Sequence, residues 1–168
     1  MNILELIESR RSIRKFTDKP VDDKKIQEIL KAAMYAPSAG NARPWQFYII
    51  KSRQMLSEIK NINPYAGMAE EAAFGILVCG DLSKEMFEGY WVVDCSAAVQ
   101  NILLAVHSLG LGAVWTGVHP MEERKEEFRK LLSLPENIIP HSFIPVGYPD
   151  QEPSKPERFQ AENIHVIE

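Results

Sequence analysis

Residues 91–109, WVVDCSAAVQNILLAVHSL, are the stretch that decides the fold. Apolar side chains fall on nearly every face of a helix drawn through it, and Asp94 is its only formally charged residue. A helix that is apolar all round is buried on several sides. Gly110 and Gly112 follow at once and end the helical pattern. The stretch therefore predicts a long helix enclosed by the other elements of the fold.

A membrane span is the alternative interpretation, because no charged residue lies between Ser96 and Val118 and that length could cross a bilayer. Gln100, Asn101, His107 and Ser108 interrupt the run, and the two glycines break a helix near its middle. We interpret the run as a buried helix followed by a buried strand, and we expect no membrane partner.

Hydrophobic spacing and turn residues predict the elements on either side of this helix. A first helix is expected to carry Ile3, Leu4 and Ile7 on one face and to end near the arginines that begin at Arg10. Further helices are expected over 22–36, 53–61 and 121–132, and strands over 45–50, 74–79, 113–118 and 143–147. Helices and strands do not alternate strictly, so the sequence favours an α+β class. At 168 residues the chain is expected to form a single domain, residues 1–168.

Composition narrows the function further. The net charge of −4 and the pI near 5.6 argue against a nucleic-acid partner, which needs a broadly basic face. Cys79 and Cys95 lie in apolar surroundings without metal-ligand spacing, and we interpret them as buried thiols of a reducing compartment. The opening residues 1–8 lack a basic region and a long apolar core, so we expect no signal peptide and a cytoplasmic location.

Residues 149–168 form a different kind of segment, rich in proline at its start and apolar at its tip. We expect an extended C-terminal arm, because prolines at 149, 153 and 156 disfavour regular structure. The apolar tip, residues 164–167, cannot form a core alone. The arm is therefore expected to pack on a second subunit.

Two basic clusters indicate an anion-binding site. Residues 10–15, RRSIRK, place four cations and one hydroxyl in six positions, and Lys155 and Arg158 form a second pair in the arm. Guanidinium groups bind phosphate or carboxylate bidentately. A solvated basic turn is the alternative for the first cluster. The small residues of the 37–45 loop could let backbone approach a flat ligand closely, or the loop could be an ordinary connection.

Conventional catalytic motifs are absent from the sequence. The four histidines have no partners at metal-ligand or triad spacing, and we expect no metal site and no catalytic side chain. His107, within the apolar helix, is expected to be a satisfied core histidine. If the chain is an enzyme, a cofactor must supply the reaction.

Four motifs, in order along the chain, resemble those of the FMN-dependent nitroreductase family. They are RRSIRKF (10–16), APSAGNARPWQF (36–47), DCSAAVQNILLA with GLGAVWTG (94–105 and 110–117), and VGYP with Lys155 and Arg158 (146–149). The resemblance implies a nitroreductase-like fold with a central, mostly antiparallel sheet flanked by helices. It also implies an intertwined homodimer with two FMN sites at the subunit interface.

The resemblance also implies which residues bind FMN. From one chain they are Arg10, Arg11, Ser12 and Arg14, with Arg158 and Lys155 at the phosphate, and from the partner chain Pro37, Ser38, Ala39 and Asn41. Arg14 would stabilise the reduced flavin near its N1/C2 edge. The ring face opposite the substrate would be lined by Trp115, Thr116 and Gly117, with a backbone N–H reaching flavin N5.

The implied activity is transfer of hydride from NADH or NADPH to flavin N5, followed by transfer of electrons to a small organic acceptor such as a nitroaromatic or a quinone. Both reactants would use one open ring face in turn, which is a ping-pong mechanism. Two alternatives remain open at this point. One is a flavin-binding module without turnover, and the other is a flavin-dependent dehalogenase or desaturase.

The chain departs from the family pattern at three points. Arg43 stands where the family often has glutamine, and residues 63–69 lack the lysine that larger members place near the flavin ring. The chain is also short, so the substrate pocket is expected to be open. Candidate pocket-wall residues, several of which could instead be core, are Tyr65, Met68, Phe87, Tyr90 and Trp91.

Overall fold

The sheet is built around its longest strand, β5, in a computed structural model that describes residues 2–168. The strands are β1 (Trp45–Ile50), β2 (Phe74–Asp81), β3 (Gly112–Ala113), β4 (Thr116–Gly117) and β5 (Ile138–Gly147). Their order is β1-β2-β5-β3, with β4 also paired to β5, and each of these pairs is antiparallel. The predicted α+β class with a mostly antiparallel sheet is confirmed.

Helices cover both faces of this sheet. They are α1 (Ile3–Ser9), α2 (Asp23–Met34), α3 (Arg53–Ile62), α4 (Trp91–Ser108) and α5 (Glu122–Leu132). Short 3₁₀ segments occupy Ala39–Asn41, Pro64–Glu70, Leu82–Lys84 and Ala161–Asn163. Asp22 caps α2, since its carboxylate accepts a hydrogen bond from Lys24 N at 2.8 Å.

Side chains of the central strands alternate between two apolar cores. Ile76 and Val78 of β2 face the core formed with α2 and α4, whereas Leu77 and Cys79 face the core formed with α3 and α5. This alternation is the two-residue period of a strand buried on both faces. The continuous apolar run from Phe74 therefore marks a fully buried strand, as predicted.

Helix α4 lies at the centre of the first core, as the sequence predicts. It buries Trp91, Asp94, Cys95, Ala98, Val99, Ile102, Leu103 and Val106. Among residues 2–168, no helix is long and apolar enough to cross a membrane.

The start of β5 was missed by the sequence analysis, which expected the strand only from residue 143. Pro140 interrupts the sequence pattern because proline has no backbone N–H to donate. In the structure Pro140 pairs with Cys79 at a register shift between Val78 and Cys79. The missing donor therefore falls at an irregularity of the ladder, and the strand continues through it.

Pro145 explains why the predicted strand 113–118 is wrong as a single strand. Ala113 lies opposite Val146 and Thr116 opposite Phe143, so the same register places Val114 opposite Pro145. The carbonyl of His141 accepts from Val118 N at 3.2 Å, and every second residue of β5 points to that same edge. Pro145 thus presents no donor there, and the strand divides into β3 and β4 around residues 114–115.

His141 is buried on β5 among aromatic rings. Its ring centroid lies 5.7 Å from that of Trp115 and 6.0 Å from that of Trp91. Its Nε2 lies 3.2 Å from the hydroxyl of Ser96. Burial, and secondarily the neighbouring His119, lower the pKa of His141 to about 4. The ring is therefore neutral in the folded protein at neutral pH.

The first and last segments leave apolar surface uncovered. Ile3, Leu4 and Ile7 of α1 are exposed, and so is the apolar tip of the arm. The root of the arm is attached, because Asp150 N donates to Lys15 O at 2.9 Å. Beyond Gln151 every residue of the arm is exposed.

Replacing Gly75 with alanine is expected to destabilise the fold by about 1–3 kcal/mol. A Cβ at this position would overlap the buried ring of Phe143, which has no free space to move into. Gly67→Ala is the matched control, because a Cβ there meets nothing within 4 Å. Denaturant unfolding of the two variants measures the difference, and equal stability would contradict the packing argument.

His141 is expected to make stability pH-dependent. Its folded pKa of about 4 lies below the ordinary histidine value near 6.5 that applies in the unfolded chain. The unfolded chain therefore takes up the proton first as the pH falls, so stability is lost between about pH 6.5 and 4, up to about 3 kcal/mol. Urea unfolding across this range should show a larger loss in the wild type than in His141→Gln, which keeps the contributions of the other histidines with lowered pKa values, His107 and His119. His165→Gln, at an exposed arm position, should retain it.

Candidate functional site

The two predicted basic clusters meet at one end of the site. Arg10 at the end of α1 lines a cavity of about 640 Å³ together with Lys155 and Arg158 of the arm. Among residues 2–168, no carboxylate lies within 4.0 Å of the charged groups of these three residues. The structure thus brings together cations that lie about 150 positions apart in the sequence, and the two carboxylates that line the same cavity, Glu8 and Glu157, form no ion pair with them.

The electrostatics of Arg10 reflect this crowding. Burial lowers the pKa of its guanidinium, and the positive charges of Arg158 and Arg11 lower it further. The neighbouring cations therefore disfavour the charged form of Arg10. An oxyanion bound among them would remove that repulsion and accept charge-assisted hydrogen bonds.

Arg11 is placed differently from Arg10. Its Nε donates to Ser154 O at 3.2 Å, and its Nη1 donates to Glu8 O at 2.6 Å and Arg10 O at 2.7 Å. These bonds join the end of α1 to the arm. Arg11 therefore positions the segment that carries Lys155 and Arg158.

Residues 12–14 connect this cluster to a second cavity. Ser12 forms a parallel bridge with Ala113, and Ile13 N donates to Ala113 O at 2.9 Å. Arg14 N donates to the side-chain carbonyl of Gln151 at 2.7 Å. The extended segment thus runs beside β3, which brings Arg14 to the break between β3 and β4.

The second cavity, of about 820 Å³, opens at that break. Trp115 is 38% exposed there, although it lies between two buried strands. The lining residues are Arg14, Lys15, Pro64, Tyr65, Gly67, Met68, Glu70, Glu71, Val114, Trp115, Thr116, Gly117, Met121 and Arg124. A cation, an indole ring and backbone groups of the divided strand are therefore presented to one space.

The Gly117 peptide is held in a fixed position. Its carbonyl accepts hydrogen bonds from Asn63 Nδ2 at 3.2 Å and from Arg124 Nη1 at 2.9 Å. Asn63 is fully buried, and its side-chain oxygen Oδ1 accepts a hydrogen bond from Tyr65 N at 3.0 Å. The Thr116 hydroxyl donates to Phe143 O at 2.7 Å. These bonds orient the backbone of β4 before any ligand binds.

The 37–41 loop does not line either of these cavities. Pro37, Ser38 and Ala39 instead line a shallow hollow of about 220 Å³ against the exposed side of α4. The buried carboxylate of Asp94 accepts from Ala39 N at 2.9 Å and so fixes the loop. Asn41 is exposed with φ of 56°, a left-handed conformation that is uncommon outside glycine.

Three residues that position the site were missed by the sequence analysis: Asp94, Asn63 and Arg124. The signal for Asp94 was present, because it is the single charge in an apolar helix. The sequence gave no signal for Asn63 or Arg124. An asparagine before a proline and an arginine on a highly charged helix are both common in proteins without any role in a site. Arg43, a departure from the family pattern, is exposed, and its N–H donates to the Ser38 hydroxyl at 3.0 Å.

His107 is half-buried, and its Nε2 lies 2.8 Å from the Ser9 hydroxyl. Burial, then Arg10 and Arg11, lower its pKa. The ring of His107 thus has a hydrogen-bond partner in Ser9, the last residue of α1. It lies beside the first basic cluster, at the edge of the core.

Known proteins are similar to this chain over nearly its whole length. A protein of Methanothermobacter thermautotrophicus named "Putative NADH dehydrogenase/NAD(P)H nitroreductase" is 51% identical over 166 residues, covering 99% of this chain and 87% of its own. The crystal structure of a protein of the same name from Parabacteroides distasonis ATCC 8503 has a TM-score of 0.93 at 45% identity, covering 97% of this chain and 96% of its own.

A solved structure at lower identity has the same fold. The FMN-dependent nitroreductase of Clostridium difficile R20291 is 27% identical, with a TM-score of 0.91 and 99% of both chains covered. The sequence model of the Nitroreductase family matches residues 7–73 and 62–148, which together are most of the chain. The chain belongs to the nitroreductase family.

Proposed function

We propose that this protein is a cytoplasmic, homodimeric FMN-dependent oxidoreductase. It takes hydride from NADH or NADPH and passes electrons to a small organic acceptor, such as a nitroaromatic or a quinone, in a ping-pong mechanism. The observation that carries the proposal is the pair of cavities at the two ends of residues 10–14. One presents unpaired cations, and the other presents Arg14, Trp115 and an oriented backbone.

The first cavity fits the phosphate of FMN. A phosphate monoester carries about −1.5 to −2 charges at neutral pH and accepts several hydrogen bonds. Arg10, Lys155 and Arg158 form no ion pair with the two carboxylates that share the cavity, Glu8 and Glu157, so their charges are available to a phosphate. Arg11 contributes by holding the arm through Ser154 O.

The second cavity fits the flavin ring. Trp115 offers aromatic surface, and Arg14 offers a cation for the edge of a ring that gains negative charge on reduction. When bound, FMN supplies a reversible two-electron exchange that no side chain of this chain can perform. The role of the protein is then to bind, orient and stabilise charge.

No acid or base is required from the lining side chains in this proposal. Glu70 is engaged by Lys60 at 2.7 Å, and Glu71 is exposed to solvent. Asn63 and Arg124 hold the Gly117 carbonyl, so the backbone of β4 keeps one orientation through both half-reactions. The cavity is open, which suits the successive entry of two different reactants.

The 37–41 loop supports a dimeric site. It lies outside the two cavities of its own chain, yet it is held rigidly by Asp94 and presents Asn41 to solvent. The surface around it carries exposed Tyr90 and Val93, and α1 exposes a further apolar face. A second copy of the chain would cover these surfaces and bring its loop to the flavin.

Purified protein is expected to bind FMN, and anaerobic NADH or NADPH is expected to bleach its visible flavin absorbance before any acceptor is added. Initial rates with a nitroaromatic acceptor should then give parallel double-reciprocal lines, since the dinucleotide leaves before the acceptor enters. A protein that binds no FMN would contradict the proposal. Bound flavin that neither nucleotide reduces would favour the binding module without turnover.

Mixed dimers test whether two chains build each site. The first variant combines Arg10→Gln with Arg158→Gln, which removes the phosphate contacts and is expected to weaken FMN binding about 100-fold. The second variant combines Ser38→Ala with Asn41→Gly, which removes the loop contacts and is expected to weaken FMN binding about tenfold. Each homodimer is then defective, whereas a mixed dimer recovers one tight FMN site per two chains. No recovery would show that each site lies within one chain. Arg129→Gln, whose side chain pairs with Glu126 on α5, is the matched control.

A further inference from the structure

Arg124 is the cation of α5 that faces the larger cavity. The helix carries four cations, and three of them form ion pairs one turn away: Lys125 with Glu122, Arg129 with Glu126, and Lys130 with Glu127. Among residues 2–168, no carboxylate lies within 4.0 Å of Arg124. The one cation of this helix without a carboxylate partner is therefore the one that lines the cavity.

Arg124 is held in position by neutral groups, so its positive charge is not neutralised. Its Nη1 donates to Gly117 O at 2.9 Å, and its guanidinium carbon lies 5.6 Å from the ring centroid of Tyr65. Guanidinium has five N–H donors in a planar fork, so most of them stay available for a bidentate partner. A group held in this way is oriented before a ligand binds and loses little entropy on binding.

The ring of Tyr65 lies beside this cation. It is 74% exposed and lines the same cavity, so it offers a flat apolar surface next to the guanidinium. Arg14 and Lys15 add two more cations to the wall, whereas the carboxylate of Glu70 is engaged by Lys60 and Glu71 is exposed to solvent. An aromatic surface adjoining unpaired positive charge suits a planar reactant that carries an anionic group.

We propose that Arg124 selects reactants that carry an oxyanion, binding a carboxylate or phosphate while the aromatic part of the reactant lies against Tyr65. This inference rests on the proposed function and names the substrate class of that same cavity. Two sources share the chemistry: a phosphate of the dinucleotide donor and a carboxylate of an aromatic acceptor. In either case Arg124 acts in binding, and it adds no step to the electron transfer.

The test compares matched charged and neutral ligands on the FMN-loaded protein. Benzoate and benzamide are titrated by calorimetry, and para-nitrobenzoate and para-nitrobenzamide serve as acceptors. Arg124→Gln is expected to raise the Kd of benzoate and the KM of para-nitrobenzoate about tenfold more than the corresponding values for the two amides, which measure the effect of losing the hydrogen bond to Gly117 O alone. Arg124→Lys keeps the charge but not the fork, and it should fall between the wild type and Arg124→Gln. Arg129→Gln should match the wild type.

A second arm identifies the source of the anion. In this arm para-nitrobenzamide is the acceptor, and the KM of NADH and of NADPH is measured for Arg124→Gln. If these KM values rise while the Kd of benzoate is unchanged, the inference is supported and the oxyanion is a phosphate of the dinucleotide. Unchanged values for every anionic ligand overturn it. An equal weakening of charged and neutral ligands also overturns it, because Arg124 would then act only through the Gly117 carbonyl.

Failure of the proposed function looks different from failure of this inference. A wild-type protein that binds no FMN, or whose flavin NAD(P)H does not reduce, contradicts the function. A wild type that reduces the neutral amide normally, with Arg124→Gln behaving identically toward charged ligands, contradicts the role of Arg124 alone. Flavin content and thermal unfolding of each variant check that the cavity is intact.

Discussion

One missing hydrogen-bond donor at Pro145 shapes the candidate site. Strand β5 lies in the middle of the sheet, where each residue normally donates to a neighbour. Pro145 cannot donate, and the strand opposite it divides at Val114 and Trp115. Trp115 is exposed there for that reason, and the larger cavity opens beside it. The two buried cores tolerate the interruption because β5 remains paired to β2 from Ile138 to Val146, apart from the register shift at His141.

The second constraint is the repulsion among cations that the fold holds close together. The positive charges of Arg158 and Arg11 contribute to lowering the pKa of Arg10, yet backbone carbonyls at Ser154 and Glu8 keep the arm and α1 in place. Neutral carbonyls can fix a guanidinium without cancelling its charge. The same arrangement recurs at Arg124, where the Gly117 carbonyl does the holding. Both ends of the site therefore use backbone to position cations and leave the charge for a ligand.

The sequence predicted the elements that periodicity controls. The helix at 91–109, the buried strand from residue 74 and the capped helix after Asp22 all follow local patterns. The errors fall at Pro140 and Pro145, where the effect of a proline depends on which neighbour its nitrogen faces. That direction is set by sheet order, a property of distant residues. A local pattern cannot supply it.

The site was predicted in the same uneven way. Arg10 and Arg158 were singled out by charge, and the fold places both in the lining of one cavity. Asn63 and Arg124 act through the Gly117 carbonyl, a partner 54 residues from the first and 7 from the second. Their residue types occur on any surface. Only the three-dimensional path of β4 reveals them.

Pro145 also bears on how the chain finds its pairing. A two-residue slip of β3 and β4 along β5 would keep every side chain on its own face, so hydrophobic patterning alone does not forbid it. Such a slip would move a pairing residue opposite the proline and lose its hydrogen bond. Only the native alignment places the unpaired residues 114–115 at that point. Pro145 thus selects one register for the pairing of β3 and β4 with β5, which hydrophobic patterning alone would leave open.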